Sequence, residues 1–439
     1  MVAKAALEAH ENAKKSSDSS TSTTAESGYS LPITDARLER LAESAREAAE
    51  ARFNSSEDFE LSRRRLEYFP KFDFNELILG EVLGKGQFGV VTEIKGLNFD
   101  EATEECEDRL FIKSCCIRKG TEQAEQGDTC RYAIKMLGES HCKNEDEYLM
   151  GARDMAIEAH FLAAMEHPHI LKLRGLSRDP TGTKHFFVVF DRLYATLKDR
   201  LVEWKWKSHV LKRGLNKIIQ TKSIKEKKQV LLETRLRVMR DLSGAVMHMH
   251  QNHIINRDLK PDNIGFDIRG DVKLFDFGLS TQFDPMAPKP YNLTGMTGSA
   301  MFMAPEVHHS CPYDESCDIY SLGFIFWRVL SLEPLFPNLP PTMFKDLVVN
   351  RGARPTVNPK WSKTLQTLMC NMWDPVPTKR PDAKQVHLHL IRESALEKEK
   401  LQATGSVDID DHIEKALLER KSTYAQRRFI SDRGLHQTS

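Results

Sequence analysis

The spacing of apolar residues divides this chain of 439 residues into unlike parts. Residues 1–34 show almost no apolar pattern, and from Ser16 to Thr24 eight of nine residues are Ser or Thr. Such a segment buries too little apolar surface to offset its ordering entropy, so disorder is expected, with a phosphorylated tail as the alternative reading. Over 35–53 (DARLERLAESAREAAEARF), Leu38, Leu41, Ala45 and Ala48 fall on one face at helical spacing. This predicts one short, weakly docking helix within an otherwise disordered extension over 1–70. From Phe74 the period changes. FNELILGEVLGKGQFGVVTEIKG reads as strand, glycine-rich turn and strand, and Tyr132–Lys135 and Phe186–Phe190 read as further strands. Asn144–Glu166 is predicted helical, with Asn144 and Glu147 as an N-terminal capping pair. Leu197–Trp206 is a second predicted helix. Val230–Gln251 is a third, amphipathic through Leu232, Leu236, Met239, Val246 and Met249.

Composition refines this picture. Hydrophobic content of 40% and charged content of 29% fit a soluble globular protein, and a formal net charge of zero leaves no global field toward nucleic acid or membrane. Charge is nonetheless local. Residues 98–129 begin acidic (Asp100, Glu101, Glu104, Glu105, Glu107, Asp108). Lys205–Lys228 holds nine Lys or Arg against one acid, Glu226. Both read as exposed insertions, and nucleic-acid or anionic-lipid binding by the basic one is the less favoured alternative. The N-terminus lacks an apolar leader. Ile319–Phe336 is interrupted by Arg328, Glu333 and Pro334, so it reads as a buried helix rather than a membrane span. Cys106, Cys115, Cys116, Cys130, Cys142, Cys311, Cys317 and Cys370 show no metal-ligand spacing and are expected as reduced thiols. His248, His250 and His253 lack an accompanying carboxylate or thiolate and read as packing residues.

The candidate chemistry centres on Ile254–Gly278, IINRDLKPDNIGFDIRGDVKLFDFG. Asp258 stands where a loop carboxylate can orient a hydroxyl. Asn263 and Asp276 offer oxygen ligands of the kind Mg²⁺ prefers. Gly84, Gly86 and Gly89 add a Gly-x-Gly-x-x-Gly turn, a weak motif alone because dinucleotide-binding turns share it. Here a β-rich run follows the turn, rather than the helix a dinucleotide fold requires.

Asn-Arg-Asp-Leu-Lys-Pro-Asp-Asn followed by Asp-Phe-Gly resembles the catalytic loop and metal-binding strand of eukaryotic protein kinases. Tyr132–Lys135, Ala304–Pro305–Glu306 and Asp318 extend the resemblance over about Phe74 to Arg392. Trp327, Arg354–Pro355, Trp373, Asp374–Pro375 and Arg380–Pro381 are most like the tyrosine-kinase-like group of serine/threonine kinases. The resemblance implies an α+β, two-lobed fold. An N-lobe would span 74–193 with the acidic insertion, a C-lobe 194–393 with the basic insertion over 205–228, and a charged helical tail 394–439. In the tail, Ile409, Ile413, Leu417 and Leu418 lie at helical spacing.

By the same resemblance, ATP would lie beneath Gly84, Lys85, Gly86, Gln87, Phe88 and Gly89. Val91 and Ala133 would meet adenine, Phe190 would close the back of the pocket, and Asp191 to Leu193 would form the hinge. Lys135 would hold the phosphates and pair with Glu158, while Asn263 and Asp276 would bind Mg²⁺. Asp258 would orient the substrate hydroxyl and Lys260 reach the γ-phosphate. Glu306 would pair with Arg380, and Asp318 would hold the catalytic-loop backbone.

Lys260 and Ser299 favour serine/threonine specificity in protein substrates, with dual specificity as an alternative. The same fold also admits a non-catalytic scaffold and a kinase that phosphorylates a small molecule. An upstream activating kinase is an implied partner, through Thr294 and Thr297 facing Arg257. The cytoplasm is the expected compartment, the nucleus its alternative. Three residues depart from the pattern: Asn256 replaces His, Gly265 leaves space beneath adenine, and Phe275 is bulkier than usual.

Overall fold

The computed structural model describes residues 40, 44–45, 47–53, 55–86, 89–98, 131–137, 145–178, 186–213, 222–337 and 339–403. Its N-terminal half is a six-stranded sheet in the order β1-β5-β6-β4-β3-β2. The strands are β1 (Lys71–Phe72), β2 (Leu77–Lys85), β3 (Gly89–Leu97), β4 (Tyr132–Leu137), β5 (Leu173–Ser177) and β6 (Phe187–Asp191). All neighbours are antiparallel except β1 and β5. Alternate residues of these strands meet on one face, where Phe72, Leu77, Ile94, Tyr132, Ile134, Phe187 and Val189 form a common core. The sheet therefore begins at Lys71, earlier than the boundary at residue 74 that the motifs indicate.

One helix precedes this sheet in sequence and another connects β4 to β5. The first, α1 (Ser56–Glu67), starts at Ser55, whose hydroxyl accepts from the Asp58 N–H. Acidic residues fill its first turn and Arg64 and Arg65 its last, each complementing the helix dipole. The second, α2 (Glu145–Ala164), buries Tyr148, Ala152, Ile157 and Phe161 completely. Asn144, half of the expected capping pair, lies outside the described residues.

The extension needs correction. Among its described residues, Ala45 and Ala49 are buried while Ala48 is only half-buried, so the docked face is rotated from the expected one. More importantly, α1 is a second helix in a region expected to be disordered, and it packs on α2.

The C-terminal half is helical. It comprises α3 (Leu197–Arg213), α4 (Lys222–Gln251), α5 (Ser316–Ser331), α6 (Lys363–Met372) and α7 (Ala383–Ala403). Leu197, Leu201 and Trp204 give α3 its buried face at helical spacing. Helix α5 is apolar around nearly its whole circumference and is correspondingly buried on all sides, ending where Leu332 adopts φ 62°.

The basic stretch, expected as an exposed insertion between two helices, belongs in good part to those helices. Its first residues extend α3 and its last ones begin α4, with 214–221 outside the described residues. Likewise α7 runs ten residues past the expected domain end at 393. Glu393 bonds Ser362 at 2.9 Å, and Glu397 bonds Gln229. The tail beyond 403 and nearly all of the acidic insertion, from 99 on, lie outside the described residues.

Four short strands line the junction between the halves. They are β7 (Ala195–Thr196), β8 (Ile254–Ile255), β9 (Ile264–Phe266) and β10 (Val272–Leu274). The chain between β8 and β9 carries Asn256 to Asn263. After β10, β11 (Thr281–Gln282) pairs with β8 and starts the long segment that ends at Ala304–Pro305–Glu306. Among the described residues no helix is long and apolar enough to cross a membrane. Cys311, Cys317 and Cys370, the described cysteines, are free thiols.

Candidate active site

The floor of the site is a single buried carboxylate. Asp318, 1% exposed on α5, accepts from the backbone N–H groups of Asn256 and Arg257 at 2.9 Å each, and its Oδ2 lies 3.0 Å from His250 Nε2. These bonds hold the loop in a conformation it would not adopt freely, since Arg257 has φ 70°. His250 thus has a structural partner. His248 stacks on His167 and His253 meets Phe283 edge-on, so the three histidines do not converge. Asn256 is buried, and its Oδ1 accepts the Asp258 N–H at 3.1 Å. The substitution of Asn for His therefore gives Asp258 a direct backbone support.

On this floor Asp258 gathers several donors. Lys260 Nζ lies 2.6 Å from its Oδ2, and the Ser299 N–H donates to its Oδ1 at 2.7 Å. Asn263 Nδ2 donates to both the Asp258 carbonyl and Oδ2 at 3.1 Å. Lys260 also reaches Ser299 Oγ at 3.0 Å. The close approach of Ser299 depends on Gly298. Its φ of +99° lies in the left-handed region, and a Cβ there would fall 2.1 Å from the Arg257 carbonyl oxygen.

Across the cleft, Lys135 Nζ and Glu158 Oε2 are 2.6 Å apart, with Glu158 2% exposed. Burial lifts the Glu158 carboxyl above its ordinary value against the pull of Lys135. Burial acts downward on Lys135, but Glu158 and Asp276 outweigh it and hold the ammonium above the usual lysine value. Asp276 has φ 69°, and Phe277 beside it is completely buried. Phe275, the bulky residue before Asp276, is half-buried and donates its N–H to the Asn263 carbonyl at 3.1 Å.

Sequence motifs did not single out Asp154, one turn before Glu158. A Cβ on Gly278 would lie 3.3 Å from Asp154 Cβ. Burial raises its carboxyl to about 6, against Arg153 and Lys135, with Asp276 adding to the rise. Its spacing of four residues from Glu158 was the one available signal.

The glycine-rich side of the site is built by β2, β3 and β4. Gly84 and Lys85 pair with Val91 and Val90, and the Gly86 N–H donates to the Gly89 carbonyl at 2.7 Å. Gln87 and Phe88 lie outside the described residues. Gly89 packs over the Lys135 stem, and Val91 pairs with Lys135 across the sheet. Ala133 is buried and pairs with Phe190. The Asp191 side chain points elsewhere, into a two-pronged ion pair with Arg174 at 2.6 and 2.8 Å, so only its backbone is available to a ligand.

The space expected beside Gly265 is filled. A Cβ at that position would fall 2.5 Å from Leu193 Cδ1, so the hinge residue supplies the apolar surface that Gly265 lacks.

Oxygen chemistry suits a hard cation here. Asn263 spends its amide N–H groups on Asp258 and retains its amide oxygen, and Asp276 adds a carboxylate. Among the described residues no cluster of three or more His, Cys, Asp or Glu can hold a metal ion unaided. Two protein oxygens fit Mg²⁺, which is usually bound by one or two carboxylates together with phosphate oxygens and water.

Farther out, Arg380 grips Glu306 through both guanidinium arms at 2.6 and 2.9 Å. Arg257 donates to the Leu279 carbonyl at 2.7 Å and contacts Tyr313 Oη at 3.3 Å, and Tyr313 donates to the Thr294 carbonyl at 2.9 Å. Thr294 is exposed and Thr297 half-buried.

A family model described as the protein kinase domain matches residues 117–390, more than half the chain. Among curated proteins, serine/threonine-protein kinase STY46 of Arabidopsis thaliana is 32% identical over 162 residues, 37% of this chain and 28% of its own length. Mitogen-activated protein kinase kinase kinase 7 of Homo sapiens is 24% identical over 333 residues, 74% of this chain and 43% of its own. A probable LIM domain-containing serine/threonine-protein kinase of Dictyostelium discoideum is 26% identical over 256 residues, 58% of this chain and 23% of its own. The chain thus spans less than half the length of these relatives.

Proposed function

This chain belongs to the protein kinase family, and we propose that it is a working enzyme transferring the γ-phosphate of ATP to serine and threonine hydroxyls of protein substrates. The observation that carries this reading is the convergence of Lys260, Ser299 and Asn263 on Asp258, opposite a closed Lys135–Glu158 pair.

Asp258 accepts hydrogen bonds on both carboxylate oxygens, so it is oriented before a substrate arrives. An incoming hydroxyl would donate to this carboxylate and have its lone pair aimed at the phosphorus. Lys260, already within reach of Asp258, would offset charge on the transferred group. Lys135, kept protonated beside Glu158, would hold the other phosphates. Asn263 and Asp276 would hold Mg²⁺, which when bound offsets phosphate charge. Leu193, with Ala133 and Val91, would enclose the purine.

The same reading includes activation by an upstream kinase acting on Thr294 or Thr297. Arg257 stands near Thr294 through Tyr313 and is a fitting partner for a phosphate in this segment. A Thr294→Ala/Thr297→Ala chain with undiminished turnover would overturn that part alone. The cytoplasm, where thiols stay reduced, is the compartment this reading favours.

The test is transfer from Mg·ATP to a degenerate Ser/Thr/Tyr peptide library, with Asp258→Asn and Lys135→Met beside the parent chain. Transfer to Ser and Thr that both substitutions abolish supports the proposal. Transfer surviving both would mean that the site lies elsewhere. Absence of transfer by the parent would favour a scaffold.

A further inference from the structure

The extension that precedes the family match touches two elements on which activity depends. Its first contact is with α2. Phe53 stacks on Phe161 with centroids 4.8 Å apart and planes 11° from parallel. Phe161 lies three residues after Glu158, on the adjoining part of the same helix. Phe59 of α1 lies over His160 at 4.6 Å, and Ser62 Oγ lies 2.8 Å from His160 Nδ1. Arg65 ends the contact by donating to the Ala163 and Ala164 carbonyls at 3.3 and 2.8 Å, two of the otherwise unmatched acceptors at the end of α2.

The second contact is with the segment that follows Asp276. The carbonyl of Arg52 accepts the Gln282 N–H at 2.7 Å and the Thr281 hydroxyl at 3.3 Å. Arg52 and Phe53 are adjacent in the chain. Adjacent residues of the extension therefore link β11, which begins five residues after Asp276, to the helix that carries Glu158. Burial, with the like charges of Arg257 and Arg153 adding to it, lowers the Arg52 guanidinium to about 10, so the extension feels charges of both the catalytic loop and α2.

We infer that Phe53, supported by α1, is a positioning residue that keeps α2 where Glu158 meets Lys135 and fixes that placement against the segment following Asp276. The inference rests on the kinase reading for its effect on turnover. Displacement of α2 away from the extension would break the Phe53–Phe161 stack, the Ser62–His160 bond and the Arg65 contacts together, and displacement of both would break the Arg52 contacts with β11. Two packed elements that move only jointly are coupled in free energy, and neither Phe53 nor α1 touches a reacting atom.

The test uses the full chain with Phe53→Ala, Phe53→Tyr and the surface variant Arg65→Gln. Turnover per folded molecule, the KM for ATP and amide hydrogen exchange are measured for each. For Phe53→Ala, kcat should fall on the order of tenfold, a common size for coupling between sites. Exchange should quicken in Glu145–Ala164 and around Thr281–Gln282, while α5 and α6 keep their protection. Phe53→Tyr, which retains the stack, should restore parental values, and Arg65→Gln should show a smaller change in the same direction.

Parental kcat with unchanged α2 protection in Phe53→Ala would overturn the inference. So would faster exchange spread evenly over the whole chain, the mark of general destabilisation. If Phe53→Ala does not fold, parental exchange and kcat in Arg65→Gln would overturn it. A parent chain that transfers no phosphate sinks the kinase reading instead, and the exchange pattern still decides the coupling.

Discussion

Leu193 and Gly265 share one volume: a Cβ on Gly265 would sit 2.5 Å from Leu193 Cδ1 and 3.2 Å from Leu193 Cβ. Gly265→Leu should therefore lower ATP affinity and melting temperature by crowding the hinge. Leu193→Ala should weaken ATP binding by removing apolar surface. Combined, they should recover much of both losses, with an interaction on the order of 0.5–3 kcal/mol in a double-mutant cycle. Fluorescent-nucleotide titration and thermal melts of the four proteins check this. Strictly additive losses would show that the two side chains do not compete.

Asp318→Asn should unfold more easily and turn over more slowly. One carboxylate serves two backbone donors and His250 from a buried position, and the amide replaces one acceptor with a donor. A loss of about 3 kcal/mol is expected for charged hydrogen bonds of this kind. Denaturant titration gives the stability, and steady-state kinetics should show kcat falling more than the KM for ATP.

Ser299 contributes through two separate atoms, and variants should separate them. Ser299→Ala loses only the hydroxyl contact with Lys260, so kcat should fall on the order of tenfold, about one hydrogen bond. Ser299→Thr should stay near the parent. Gly298→Ala should be much worse, because it displaces the backbone that brings the Ser299 N–H to Asp258. Comparable activity in Gly298→Ala and Ser299→Ala would refute this ordering.

His160 should make stability fall with pH. Burial, with Arg63 adding to it, lowers the imidazole from its ordinary value to about 4. The unfolded chain therefore binds a proton more readily than the folded one between pH 6.5 and 4. The stability due to neutral His160 is fully present above pH 6.5 and is lost as the pH falls toward 4. Between pH 7 and 5 the loss should be about 2 kcal/mol. His160→Gln should flatten that slope, as followed by denaturant melts across the range.

Much of the centre was legible because its chemistry constrains spacing. The kinase resemblance ties Asp258, Asn263 and Asp276 to one site and sets a carboxylate, Glu158, opposite Lys135, and the Lys135–Glu158 and Asn263–Asp258 contacts lie where that motif order leads. What escaped depends on contacts between distant positions. Leu193 fills the place of Gly265 from far away in the chain, and no local pattern records that. Helix α1 was missed because its docking residues include Ser62 and Arg65, which periodicity counts as solvated. The basic stretch misled for the opposite reason. Lysine and glutamate are good helix formers, so a charged run can extend α3 and begin α4 without an apolar stripe.

The smallest chain expected to fold is larger than the kinase-domain match at 117–390. Cutting there removes β1, β2 and β3, and β4 loses a neighbour along its full length. A newly bared strand edge invites pairing with another molecule. At the other end the cut takes away Glu393 and Glu397, unfastening Ser362 and Gln229. Recombinant boundaries near residues 40 and 403 should yield soluble monomer, whereas those drawn at the match should yield aggregate, with size-exclusion chromatography distinguishing the two.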